Sequence, residues 1–149
     1  MEKKQINDDI YRMLSESGYS DKAIEYFQAQ ENIGLIEDAD QVTDVTGPCG
    51  DNVKISFNVE DNKISEAKIQ VLGCPGAVAS GCAVVNLAKG RTLEEAAKLD
   101  MDTLYNELEK LPDKKIHCAR LALKTLHKAV EEYEAKRQAE AINEVGGGK

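Results

Sequence analysis

The sequence predicts an α+β domain: a small three-stranded antiparallel sheet packed against several helices, with a long C-terminal helix. Three observations carry this. Residues 53–59 and 67–71 alternate apolar and polar side chains, the period of strands with one buried face. Residues 76–89 are almost uninterruptedly small and apolar, as a buried helix is. Ile116, Ala119, Leu123, Leu126, Val130 and Tyr133 recur at intervals of three and four, the stripe of a long amphipathic helix.

Taken in order, residues 5–17 read as a short amphipathic helix with Ile6, Ile10, Met13 and Leu14 on one side. The stretch Ser17-Gly18-Tyr19-Ser20 interrupts it. Ser20 caps a second helix over 21–30, with Asp21 in the first turn, where a carboxylate meets the positive end of the helix dipole. Asn32 to Gln41 reads as a loop. A strand over 42–46 then leads into Gly47-Pro48-Cys49-Gly50-Asp51. Val53, Ile55, Phe57 and Val59 share one face of the next strand. Asp61-Asn62 supplies a turn, and Ala67, Ile69 and Val71 continue the hairpin. Pro75 fits the first position of the apolar helix, and Gly90 closes it. Thr92-Leu93-Glu94-Glu95 is a capping box that opens a further helix, and another follows near 102–110. The last helix starts near Pro112 and ends near Glu140. The organisation expected is a helical extension over 1–18, a main domain over 19–140 and a flexible tail over 141–149.

Composition narrows the function. The chain has 149 residues, a formal charge of −8 and a pI of about 4.8. Phosphate contacts need clustered Lys and Arg, so nucleic acid and anionic membrane surfaces are poor partners. The charged N-terminus has no apolar signal-peptide core, and no run of 18 apolar residues suggests a span. The expected compartment is the cytoplasm. There, four cysteines are reduced thiols, metal ligands or catalysts rather than disulfides.

Cys49, Cys74 and Cys118 share a feature that Cys82 lacks: each stands at a transition between elements. Cys49 sits between Gly47-Pro48 and Gly50, Cys74 follows Gly73 and precedes Pro75, and Cys118 follows His117. No C-x-x-C pair exists, so the flanks carry more weight than the spacing. Glycines let backbone approach an inorganic centre and donate N–H groups to it. At a helix N-terminus, Cys74 has the environment that favours thiolate. Taken singly, Cys49 and Asp51 are as consistent with a turn as with a ligand role. His117 and Cys118 project about 100° apart on a helix, which reads as alternative rather than joint ligation. Cys82, well inside the apolar helix, reads as core packing, with a fourth thiolate as the alternative.

These motifs resemble the U-type iron–sulfur cluster assembly scaffolds, the family of IscU and the N-terminal domain of NifU. The family pattern G-x-C-G-D reads here Gly47 to Asp51. G-C-x-x-x-x-A-S reads Gly73-Cys74 through Ala79-Ser80. L-P-x-x-K-x-H-C-x-x-L-A reads Leu111-Pro112 through Lys115, His117, Cys118, Leu121 and Ala122. The likeness extends from about Tyr19 to Arg137. It implies a non-enzymatic scaffold that takes sulfur from a cysteine desulfurase, assembles a [2Fe–2S] cluster from it and iron, and passes the cluster to acceptor apo-proteins. The implied ligands are Cys49, Asp51, Cys74 and Cys118, with His117 as an alternative ligand and Lys115 lining the site. Cys118 is the implied persulfide acceptor.

The sequence departs from the family in four places. The chaperone-recognised segment L-P-P-V-K is here Leu111-Pro112-Asp113-Lys114-Lys115. Its two changed positions are charged, which counts against an Hsp70-type chaperone as partner. Cys82 stands where the family has a small residue. About 18 residues precede the family start. The insertion of the zinc-containing SufU type is missing between Gly90 and Leu111. Zinc held by the same three cysteines and Asp51, organising persulfide relay, is the alternative reading, because three thiolates and a carboxylate satisfy tetrahedral zinc. A permanent electron carrier completed by Cys82 is a third. A homodimer is compatible with all of them.

Overall fold

The computed structural model describes residues 8–29, 32–48 and 50–147, with side chains through Glu140. Ile6 and Cys49 lie outside the described residues. The elements run α1 (Asp8–Glu16), α2 (Asp21–Ala29), β1 (Gln41–Thr46), β2 (Asn52–Glu60), β3 (Lys63–Leu72), α3 (Pro75–Ala88), α4 (Leu93–Ala97), α5 (Met101–Leu108) and α6 (Ile116–Gly147). A 3-10 turn over Asp113–Lys115 precedes α6. No helix among the described residues is long and apolar enough to cross a membrane.

The sheet is antiparallel in the order β1-β2-β3. Val53, Ile55 and Phe57 of β2 are fully buried, as their alternation requires. On β3, Ile64, Ala67 and Ile69 are buried although Ile64 breaks the two-residue period. The register explains this. Asn58 pairs with Glu66 and Val59 with Ile64, so Ser65 is an extra residue that resets the alternation. The outer edge of β3 is covered by loops. Ile69 N–H donates to Asn32 O and Gly34 N–H to Ile69 O, both at 2.8 Å. Ile64 N–H donates to Arg91 O at 2.9 Å, and Gly90 N–H to Ile64 O at 2.8 Å.

Helix α3 lies on β3 and α6 lies across β1 and β2, and their apolar faces form one core with the sheet. Gly81 allows the close approach: a Cβ there would meet Ile69 Cδ1 at 2.7 Å. Glu132 of α6 accepts from Thr43 Oγ1 at 2.7 Å and from Gln41 Nε2 at 3.2 Å, which ties the last helix to β1. The expected caps form. Ala23 N–H donates to Ser20 Oγ at 2.9 Å, and Thr92 and Glu95 complete a reciprocal capping box.

Three details differ from the sequence reading. Met13 does not join Leu14 in the core; it is 57% exposed, while Leu14 is 4%. Leu14 packs inward beside Tyr19, and a nine-residue helix has too narrow a buried face for both. The last helix proper begins at Ile116, because the residues after Pro112 wind first as a 3-10 turn closed by Lys115 N–H on Pro112 O at 2.8 Å. Its backbone continues to Gly147, past the end expected near Glu140.

Candidate metal centre

Three segments separated in sequence meet at one end of the sheet. The first is the β1–β2 loop. Gly47 N–H donates to Asp51 O at 2.8 Å and Gly50 N–H to Gly47 O at 3.0 Å, closing a tight turn. Gly50 has φ +92°, a conformation that costs a side-chain-bearing residue strain. The second is the step from β3 to α3. Asn52 pairs with Leu72, so Asp51 and Gly73, one residue beyond that pair on each strand, stand opposite each other at the end of the hairpin. Gly73 leaves room for the acid: a Cβ there would lie 2.8 Å from Asp51 Cγ and 2.9 Å from its Oδ1. Cys74 follows as N-cap of α3, in extended conformation, with Pro75 at the first helical position. The third is the start of α6, where fully buried Leu111 and the 3-10 turn anchor His117 and Cys118 in the first helical turn.

The described side chains converge. Cys74 Sγ and Cys118 Sγ are 3.4 Å apart. Each lies 3.9 Å from Asp51 Oδ2. Cys118 Sγ is 3.7 Å from His117 Nε2. Asp51, His117 and Cys118 offer ligand atoms that all lie within 4.8 Å of one another. The 100° between neighbouring side chains therefore does not keep His117 and Cys118 apart, because the length of the imidazole brings Nε2 back towards the thiol. Cys118 is fully buried, while Asp51, Cys74 and His117 are half-buried.

Burial pushes the Cys118 thiol up to about 12, and the hydrogen bond and charge of Cys74 and the charge of Asp51 add to this, against the opposing cation of Lys115. Crowding two thiols and a carboxylate makes a second negative charge costly unless a cation arrives with it. A metal ion meets that condition by replacing the protons. Thiolate, carboxylate and imidazole suit iron–sulfur centres and zinc. Lys115 flanks the site: its Cβ would lie 3.2 Å from a Cβ on Gly76.

Cys82 is elsewhere. It is 2% exposed within the core cluster, and burial pushes its thiol up to about 11. That is the packing role, and it supplies no fourth thiolate to the described cluster. Cys49 lies outside the described residues.

The sequence reading gave no site role to Tyr19. This residue is 7% exposed, and its hydroxyl would lie 3.1 Å from a Cβ on Gly76, in the first turn of α3. Its hydroxyl is pushed up to about 12 by burial first and then by the charges of Cys74 and Cys118. In the sequence it stands in a helix-breaking Gly-Tyr-Ser stretch, and only the packing of that turn against α3 shows the contact. A groove of about 440 Å³ opens beside it, lined by Met13, Leu14, Pro75, Pro112 and Lys115 among others.

Comparisons with known proteins point to one family. The family model for the NifU-like N terminal domain matches residues 18–140. The chain is 42% identical over 130 residues to an iron-sulfur cluster assembly scaffold protein IscU of Archaeoglobus fulgidus, covering 86% of this chain and 85% of that one. It is 36% identical over 126 residues to the scaffold protein IscU of Escherichia coli, covering 81% and 98%. Among solved structures, one from Fervidobacterium islandicum, described as an iron-sulfur cluster assembly scaffold for the SUF system, superposes with a TM-score of 0.62 at 25% identity, covering 75% and 96%.

Proposed function

The chain belongs to the NifU-like N-terminal domain family, and from that premise we propose that it is a scaffold on which an iron–sulfur cluster is assembled and then released. The observation that carries this reading is the position of Asp51 Oδ2, 3.9 Å from both Cys74 Sγ and Cys118 Sγ. A hard oxygen donor stands among soft sulfurs. Permanent clusters are held by four thiolates, whereas a mixed set grips less firmly.

In this reading Cys49, Asp51, Cys74 and Cys118 hold a [2Fe–2S] cluster, and His117 takes the place of a ligand that leaves. The folded scaffold is residues 19–140. Cys118 receives sulfur. Its thiolate attacks the outer sulfur of a persulfide on a cysteine desulfurase, the donor's S–S bond breaks, and the donor cysteine departs as thiolate. Lys115 favours the attacking thiolate against the burial that opposes it. Reduction of the transferred sulfur to sulfide needs electrons from a separate reductant. The groove lined by Pro75 and Lys115 gives a partner's loop a seat at residues close to Cys74 and His117 in the chain. Leu111 is fully buried and Asp113 and Lys114 are charged, which argues against recognition of that segment by an Hsp70-type chaperone. Four cysteines used as thiols and ligands suit the reducing cytoplasm.

The test is release. Asp51→Ala should slow transfer to an apo-ferredoxin and leave a longer-lived cluster, followed by circular dichroism. Equal transfer rates for both proteins would sink the role of the acid. A second reading, a zinc-dependent sulfur relay, is favoured by the structural likeness to a SUF-system protein and by donors that also satisfy tetrahedral zinc. Anaerobic purification with assay of iron, zinc and acid-labile sulfide separates the two: zinc without sulfide supports the relay.

A further inference from the structure

Cys74 stands at the N-cap of α3, yet its side chain makes no cap hydrogen bond. The thiol is directed into the site instead, where its Sγ lies 3.4 Å from Cys118 Sγ. Reacting atoms about 3–3.5 Å apart are in a near-attack arrangement, so the two sulfurs are already placed to react. Among the described residues the cysteines are Cys74, Cys82 and Cys118, all free thiols. Cys82 is buried in the core cluster, which leaves Cys74 as the described thiol beside Cys118. Cys118 is fully buried and Cys74 half-buried. A reductant in solvent therefore has no direct approach to Cys118 Sγ, whereas Cys74 is in contact with it. Asp51 Oδ2, 3.9 Å from each sulfur, is equally near but has no electrons to give.

Sulfur received on Cys118 must be reduced before it can enter a cluster as sulfide. We propose that Cys74 is the resolving thiol for this step, so that the site releases sulfide from its own persulfide. The proposal rests on the reading of Cys118 as sulfur acceptor. Cys74, as thiolate, attacks Cys118 Sγ. The bond from Cys118 Sγ to the outer sulfur breaks, and a Cys74–Cys118 disulfide forms. The outer sulfur leaves with the bonding electron pair as hydrosulfide, and the proton given up by Cys74 passes to solvent. Two electrons thus move from the cysteine pair to the transferred sulfur. The separate reductant acts afterwards, on the disulfide. Cluster binding waits for that reduction, because both sulfurs are among the proposed ligands.

The test uses the full-length, chelator-treated protein under anaerobic conditions, with glutathione persulfide as sulfur donor and rapid removal of small molecules. Sulfide is trapped and measured as its bimane derivative. Peptide mapping by mass spectrometry locates the added sulfur and the disulfide. In the parent, sulfide should appear without added reductant, in step with a Cys74–Cys118 disulfide. That observation needs no variant to fold. In Cys74→Ser the extra sulfur should stay on Cys118, and sulfide release should slow about 100-fold, a modest share of the advantage a pre-placed group has over one in solution. Cys82→Ala should release sulfide at the parent's rate. A persulfide that persists on Cys118 of the parent overturns the proposal and leaves the scaffold reading standing. Release at the parent's rate from Cys74→Ser, or a disulfide joining Cys118 to Cys49, does the same. If Cys118 gains no sulfur in Cys74→Ser and the parent releases no sulfide, the proposal and the sulfur-acceptor reading fall together.

Discussion

At the scale of single residues, Gly73 and Cys82 separate site from core. Gly73 beside Cys74 reads in sequence as a residue that lets backbone approach an inorganic centre. The structure gives it a more specific task, since a Cβ would stand 2.8 Å from the Asp51 carboxyl carbon. Gly73→Ala should displace Asp51 and weaken zinc binding about 10- to 100-fold, the usual effect of losing a residue that orients a ligand. Competition with a chromophoric chelator measures this, and affinity equal to the parent's would refute it. Cys82 is the contrasting case. Its thiol rises from 9.0 to about 11 through burial, so the folded state favours the protonated form. That stabilisation is complete below pH 9 and is lost as pH rises through 11, because the unfolded chain gives up its proton first. The stability advantage of the parent over Cys82→Ala should therefore be constant to pH 9 and shrink towards pH 11. Zinc stoichiometry should be the same for both, and loss of one equivalent in Cys82→Ala would restore the fourth-thiolate reading.

At the scale of elements, legibility follows how local the cause is. The capping box at Thr92 and Glu95 is written in four adjacent residues, and the two bonds form at 3.0 Å each. The cap at Ser20 and the apolar run of α3 are equally local. The bulge at Ser65 is not, because only the partner strand shows that Val59 pairs with Ile64. Met13 falls outside the core for a similar reason: helical periodicity says which residues share a side and leaves open how wide a face the neighbours cover. The 3-10 turn before α6 depends on Pro112 and on what Leu111 packs against. Element-level stability should still follow the local rules. Thr92→Ala removes one reciprocal cap and should cost about 1 kcal/mol in urea denaturation, with metal affinity unchanged. A drop in metal affinity would mean that α4 communicates with the site, which no contact described above provides.

At the scale of the whole molecule, the site exists only through the fold. The residue types and their Gly, Pro and His flanks are legible in the sequence, and the family resemblance, rather than any spacing, implies the convergence of positions 51, 74 and 118. It comes from the β2–β3 register that sets Asn52 against Leu72, and from α6 lying across the sheet with its first turn at the same end. Each donor therefore reports on a different part of the structure: a hairpin loop, a strand-to-helix step and a helix start. A cation held by all three crosslinks parts that unfold separately, so binding must appear as folding stability. Zinc at a hundredfold excess over its dissociation constant should add about 2.7 kcal/mol, a rise of about 5–10 °C in melting temperature for a chain of this size. A chelator should reverse the rise, and Cys74→Ser should reduce it sharply while the metal-free melting temperature stays near the parent's. If zinc leaves the parent's melting temperature unchanged, the three segments do not form one site in solution. If it raises the Cys74→Ser variant equally, the ion sits elsewhere.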